Sequence, residues 1–542
     1  METITLVLTL LFAVVLSGIL ARLLPFSVPR PLVQIALGAA IGLVADWRVT
    51  LDPDIFFLLF LPPLLFLDGW RIPPDDMFKD GVTILELALG LVVFTVVGMG
   101  FLIHWMIPAM PLAVAFALAA VVSPTDPIAV SAIAQRTPIP KRMMHILEGE
   151  SLLNDASGLV CLRFAVAAAL TGSFSLGAAA LNFLWVAIGG IVVGAGLTWL
   201  VGRAKELVAR RLGEESSSQI LISLLIPFGA YLVAEHLHCS GILAAVAAGV
   251  MMGFIETRGK ALAVTRIRRT TVWDLIQFTA NGIIFVLLGE QLPTILAGAA
   301  DSVRLTGHHG AWWLAVYIVA INVALAALRF VWVWFSLRLT SFRRAEDSPR
   351  PNWRLVGAMS FAGVRGAITL AGVLTLPLAM ADGTAFPGRD LAILLAMGVI
   401  ILSLIAASIG LPLMMRGLEM PAEPSRDAEI EEARRAAAEA AIAEIERTQH
   451  QLAEGRKDAD AYVNVASRLM DLYRERIDNR SSLPEAMAFL RRDERIERDL
   501  LLAALKAERG EIFRRVRQSE LGSEAARKLV RELDLQEARL AG

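Results

Sequence analysis

Within the run Glu150-Ser151-Leu152-Leu153-Asn154-Asp155-Ala156-Ser157-Gly158, two carboxylates, two hydroxyls and an amide interrupt a stretch otherwise apolar enough to cross a bilayer. On a helix Glu150 and Asn154 share a face at i,i+4, as do Ser151 and Asp155. Asp155 would then present a carboxylate beside a hydroxyl and an amide oxygen, hard ligands suited to an alkali cation. No His or Cys accompanies them, which disfavours a transition metal. Desolvation favours the neutral form of a carboxylate. One group can then hold either a proton or a cation but not both, which is the minimal chemistry for exchanging one ion against the other.

A charge near the centre of a membrane helix costs at least about 2.5–3.5 kcal/mol, so such residues are functional suspects. Here they are Asp68, Glu86, Asp126, Glu150, Asp155, Arg163, Glu290, Arg329 and Arg365. Ser123-Pro124-Thr125-Asp126-Pro127 places two prolines in an apolar span, predicting a broken helix whose freed backbone groups line a cavity. Asp126 would face the positive end of a half-helix there, and Thr125 offers carbonyl and hydroxyl oxygens. Phe361-Ala362-Gly363-Val364-Arg365-Gly366-Ala367 sets one arginine between two glycines. That predicts either a second break or a close helix approach. Arg365 needs a partner, and Glu150 is the favoured one. Leu61-Pro62-Pro63 leads to Asp68 near the inner face, where it either joins a cation path or ends its helix.

These residues must be held by membrane helices. The chain has 542 residues, 56% of them apolar, and a mean hydropathy of +0.61, too apolar for an ordinary soluble globule. Apolar stretches recur near 3–22, 32–49, 54–70, 82–106, 111–134, 144–170, 180–202, 218–236, 240–255, 271–291, 312–337, 354–378 and 391–416, about thirteen spans. The expected fold is an all-α polytopic membrane protein, because barrel strands alternate and run only about ten residues.

Alternate loops are basic, among them Arg136-Lys141-Arg142 and Arg203-Lys205-Arg210-Arg211. The intervening loops carry only Arg48, Arg304 and Arg389. The positive-inside rule then sets the N-terminus outside and the tail inside. The start of the chain lacks a basic n-region, so residues 3–22 are expected to be a retained first span. Roughly half of all charged residues follow Gly417. The expected division is a membrane body, 1–417, and a charged helical tail, 418–542, with helices near 427–449, 484–509 and 510–540. Gly455 and the 479–482 cluster mark breaks in that tail. Cys161 and Cys239 are expected to be buried hydrophobes without a disulfide. The net charge of −1 says nothing for nucleic acid as a partner, and none is expected.

Thr125-Asp126-Pro127, Glu150-Ser151-Leu152-Leu153-Asn154-Asp155 and Gly363-Val364-Arg365-Gly366-Ala367 occur in that order on separate spans, with Leu61-Pro62-Pro63 and Asp68 before them. Together they resemble the monovalent cation/proton antiporters of the NhaP type, related to the eukaryotic plasma-membrane sodium/proton exchangers. The resemblance covers the body and not the tail. It implies a thirteen-helix inverted-repeat fold in a cell membrane, likened to a core domain moving against a dimerisation domain, and a homodimer. By the same resemblance Asp155 is the shared cation and proton site, with Asn154, Ser151, Thr125 and Asp68 lining or approaching it. Asp126 steadies the crossed helices, and Glu150 with Arg365 holds or gates the core. Relatives that carry an Asp where this chain has Asn154 are electrogenic, so electroneutral one-for-one exchange of Na+ for H+ is expected, with K+ or Li+ as alternative cations and no cofactor. An intramembrane aspartyl hydrolase is disfavoured by the missing Gly-x-Gly-Asp motif. A membrane sensor with the tail as output is the remaining alternative. Arg163, Glu86 and Glu290 fall outside the family pattern, and pairing among them or an outer interfacial position is open.

Overall fold

The computed structural model describes residues 2–23, 28–44, 53–71, 86–126, 130–131, 141–171, 176–213, 215–256, 263–297, 312–343, 353–380, 383–416, 424–454, 459–478, 484–518, 529–530 and 532–537. Within them the regular secondary structure is helical apart from one antiparallel bridge, Ala379 to Ala385. It forms two compact units, Met1–Glu419 and Met420–Gly542.

The first unit begins with α1 (Glu2–Leu23), α2 (Arg30–Val44), α3 (Pro53–Arg71) and α4 (Val92–Met106), the last entered through a π-helical turn, Glu86–Leu91. There follow α5 (Leu112–Val122), α6 (Lys141–Thr171), α7 (Leu176–Leu212), α8 (Ser216–His236), α9 (Gly241–Glu256) and α10 (Ala263–Ala297). It ends with α11 (Trp312–Arg343), α12 (Trp353–Phe361), α13 (Ala367–Leu374) and α14 (Arg389–Met415). Each predicted apolar stretch thus carries helix, and the twelfth is two half-helices. Among the described residues, eight helices are long and apolar enough to cross a membrane by length and composition, and α2, α5 and α9 are shorter apolar helices. Lipid supplies no hydrogen-bond partner, so backbone this apolar is satisfied within helices. Phe12, Trp185, Ile188 and Val323 stay exposed on the helix surfaces, as lipid contact requires. The chain is an all-α polytopic membrane protein.

The predicted interruption after α5 is present, and of the two alternatives for 361–367 the break is the one observed. Residues 123–126 leave the helical path after α5, and 362–366 separate α12 from α13. Pro127 lies outside the described residues. By contrast, Pro62 and Pro63 are accommodated inside α3.

Helix contacts sort the unit into two groups. In one, α2 packs on α10, α3 on α9, and α7 and α8 on α9, with α1 against α2 and α10. In the other, α4, α5 and α6 pack in series while α11, α12, α13 and α14 pack together and against α4 and α5. The groups meet through α6, α13 and α14 on one side and α2, α3, α9 and α10 on the other.

Glycine placement follows this division. A Cβ added at Gly38, Gly42 or Gly289 would meet the facing main chain between α2 and α10. The same holds at Gly69 and Gly249 between α3 and α9, and at Gly190 and Gly194 facing α9 and the residue before it. In the second group, Gly98, Gly100, Gly398 and Gly410 receive side chains instead: Leu328, Phe116, Ile318 and Phe361. At these positions the first group is joined backbone to backbone, and those named in the second group are filled by side chains.

The second unit holds α15 (Pro424–Ala453) packed on α16 (Ala459–Asp478), with Ala438 and Ala466 buried, followed by α17 (Pro484–Arg517). α17 runs through Gly510, where the sequence suggested a junction. One helical glycine costs only about 1 kcal/mol relative to Ala, and neighbouring pairs offset it. Arg514 and Arg515 both donate to Glu511, at 2.6, 2.7 and 3.0 Å. These bonds hold the Glu511 carboxyl down at about 2. Gly455 and 479–482 lie outside the described residues.

Candidate functional site

α6 carries its polar run past the interruption of α5. Gly158 permits the approach, since a Cβ there would collide with the Pro124 ring. As a result Glu150 and Asn154 are 0% and 1% exposed, Ser151 and Asp155 each 4%, and Thr125 5%.

A hydrogen-bonded chain organises these side chains. Asn154 Nδ2 donates to Thr125 Oγ1 at 3.0 Å, and Thr125 Oγ1 donates to Glu150 Oε1 at 3.4 Å. From the opposite side, Arg329 of α11 embraces the same carboxylate. Its Nη2 donates to Oε2 at 2.7 Å and its Nη1 to Oε1, while Nε donates to Met359 O of α12 at 2.8 Å. The amide of Asn154 is thereby oriented with its nitrogen committed. Its Oδ1 is buried and has no hydrogen-bond partner among the described residues, and neither does Ser123 Oγ. Buried acceptor oxygens without donors are rare. Asn154 Oδ1, on the residue next to the buried Asp155 carboxylate, is an oxygen of the kind that suits a hard cation. Asp68 stands on α3, which packs against α6, and Ser151 lies buried on α6 about one turn before Asp155.

The two interruptions cross. Asp126 N donates to Val364 O at 2.7 Å, and Ala367 N, the first residue of α13, donates to Asp126 Oδ2 at 3.4 Å. A Cβ on Gly366 would run into that carboxylate. Arg365 serves the opposite polarity: Nε donates to Val122 O, the end of α5, at 2.9 Å, and Nη1 donates to Gly363 O just beyond α12. Its own N–H donates to Ser403 Oγ of α14 at 3.1 Å. An anion thus sits at a half-helix N-terminus and a cation at two C-terminal ends, as helix dipoles favour.

This geometry corrects the expected pairing of Arg365 with Glu150. Both Glu150 oxygens are engaged by Arg329, and Arg365 is satisfied by backbone carbonyls that the broken helices leave over. Arg329 was visible in the sequence as a lone intramembrane cation, but nothing there told which carboxylate it meets. Ser123 was likewise visible in the broken run without being assigned to the site. Arg163 pairs with Glu235 at 2.9 Å rather than with Glu86 or Glu290. Glu86 accepts from Ser336 Oγ at 3.0 Å, and Glu290 is buried near the end of α10. Cys161 and Cys239 are free thiols.

The family model described as "Sodium/hydrogen exchanger, transmembrane" matches residues 7–417. The chain belongs to the sodium/hydrogen exchanger family. Among its relatives, an "Uncharacterized Na(+)/H(+) exchanger YjcE" of Escherichia coli (strain K12) is 42% identical, across 100% of this chain and 99% of that one. A "Sodium, potassium, lithium and rubidium/H(+) antiporter" of Bacillus pumilus is 38% identical over 98% of this chain and 77% of its own length. Among solved structures, the sodium proton antiporter MjNhaP1 of Methanocaldococcus jannaschii superposes with a TM-score of 0.58 at 18% identity, covering 77% of this chain and 99% of that one. That likeness shows a shared fold. The exchanger family is one of multi-pass membrane transporters, and the motif-based resemblance to NhaP-type antiporters stands.

Proposed function

We propose that this exchanger carries Na+ against H+ one for one by alternating access, with Asp155 as the shared site. The observation that carries the proposal is the buried Asp155 carboxylate beside the orphaned Asn154 Oδ1, at the crossing of two broken helices. A cation entering the cluster displaces the proton from Asp155 and takes oxygens from Asn154, Ser151 and Thr125, with Asp68 on the approach. When the cation leaves, a proton replaces it. Asn154 is neutral, so Asp155 is the one carboxylate that must change partner, and one charge moves each way. Glu150 with Arg329 sets the Asn154 amide through Thr125, while Asp126 and Arg365 compensate the half-helix ends. The side-chain-packed helix group would rock against the backbone-joined group, exposing Asp155 to each face in turn.

The basic-loop pattern supports an outer N-terminus and a cytoplasmic tail in an inner, cell membrane. The body, 1–417, would transport as a homodimer, and the helical domain 418–542 would regulate it.

Everted vesicles containing the protein and a pH-sensing dye test the proposal. Added Na+ is expected to dissipate a preset proton gradient, and Asp155→Asn is expected to lose the response while still inserting. Failure of Na+, Li+ and K+ alike would refute the transport reading. A second reading, K+/H+ exchange, is favoured by the Bacillus pumilus relative's name, and the same cation series separates it from the first.

A further inference from the structure

We propose that Arg163 and Glu235 form a latch that closes the outer end of the ion path and opens once in each transport cycle. The inference rests on the alternating-access reading and on the membrane orientation above. Arg163 stands on α6, in the group that carries Asp155, whereas Glu235 ends α8 in the backbone-joined group. Their ion pair, 2.9 Å long, therefore bridges the two bodies whose relative motion transport requires. α6 and α8 share little backbone contact, so the long arginine side chain spans the gap. Eight residues separate Arg163 from Asp155, about 12 Å along a helix, in the direction that the basic loops assign to the outside.

The two halves of the pair are built differently. Glu235 is fixed to its own body, because its Oε1 also accepts from Gly241 N, at the start of α9, at 3.3 Å. The intervening turn is tight: Cys239 N donates to Ala234 O at 2.8 Å and His238 N to Glu235 O at 3.0 Å. His238 adopts φ 56°, the left-handed conformation that commonly closes a helix C-terminus. Ser240 Oγ then accepts from Leu243 N at 3.2 Å. Glu235 thus stays in place when Arg163 departs. The Arg163 side chain is 54% exposed, so on release it enters water without being stranded. An exposed pair of this kind biases an equilibrium by about 1.4- to 5-fold. That is enough to set a resting preference and small enough to be overcome in every turnover.

The test uses full-length protein in oriented vesicles, varying Na+ on one face at a time. Under the latch, Arg163→Gln and Glu235→Gln both favour the outward-open state, and apparent affinity scales with the population of the competent state. Each is expected to lower the ratio of outer to inner half-saturation by about 1.4- to 5-fold. Arg163→Glu and Glu235→Arg shift it further, and the double reversal returns it to the wild-type value. Were the pair only a charge at the outer mouth, the two glutamine variants would move outer affinity in opposite directions, which overturns the latch. So does a ratio unchanged in both, or a change of maximal rate alone in variants that retain the wild-type elution profile. A wild type that exchanges no cation overturns the transport reading and the latch with it.

Discussion

Replacing Arg329 by Met removes every polar partner this side chain supplies to Glu150 while keeping much of its apolar stem. The Glu150 carboxylate is 0% exposed and the Arg329 side chain 3%, so no water takes over. Glu150 loses two charge-assisted bonds, and Met359 O loses the Nε donor. Bonds to charged groups contribute about 1.5–3 kcal/mol each, so the two to Glu150 suggest about 3–6 kcal/mol. Breaking a buried pair by deleting one partner costs about 3–5 kcal/mol, which agrees. Adding Glu150→Gln to that background removes the stranded charge. The double variant should therefore recover part of the loss, with a coupling energy of at least about 1 kcal/mol. The midpoint of unfolding in mixed detergent micelles, measured for the four members of the cycle, reads this directly. A parallel cycle between Glu150 and Arg365 should couple more weakly, because Arg365 is held by backbone carbonyls. Additivity within about 0.5 kcal/mol for the Glu150–Arg329 cycle, or stronger coupling to Arg365, would refute the pairing and the ordered chain to Asn154.

Three further outcomes are expected. Asn154→Asp should leave a folded carrier whose exchange rate responds to an imposed diffusion potential, and continued indifference to voltage would sink the one-for-one argument. Gly366→Ala drives a methyl into the Asp126 carboxylate. It should lower stability by about 1–3 kcal/mol and slow dye-reported exchange, and wild-type values in both would show the crossing to be slack. Glu511 is held at about 2 by its arginine partners. Its contribution is present above the ordinary carboxylate range and is lost only as pH falls through about 2. Glu511→Gln should accordingly leave the pH profile of exchange unchanged across the neutral range.

The helices were legible because bilayer-length apolar runs allow little else, and both interruptions were marked by residues that disturb a helix: Pro124 on one side, Gly363 and Gly366 on the other. Helical spacing put Glu150 and Asn154 on one face, whereas the meeting of Thr125 with Asn154, seen as a 3.0 Å hydrogen bond, was implied only by the family resemblance. The partner of Arg365 did not follow. Counting side-chain charges omits the main-chain acceptors that appear wherever a helix stops, and those carbonyls are what Arg365 uses. Arg329 and Arg365 are each a single cation in an apolar span. Which of them reaches Glu150 depends on helix tilt and rotation, which packing sets rather than local sequence. Glu235 escaped notice for another reason: it sits at the end of its span beside His236, where polar residues are ordinary.

A carrier that shifts one half of itself needs the other half to hold still. Where Gly38, Gly249, Gly289 and Gly194 bring main chains together, there are no intervening rotamers through which load could relax. Under the proposed alternating access, those helix pairs would act as a stator. Work done by a binding cation would then be delivered as displacement of the bundle that carries Asp155 rather than dissipated in bending its support. Stiffness on one side of the molecule would thereby become a component of transport efficiency, exerted by residues that never approach the ion.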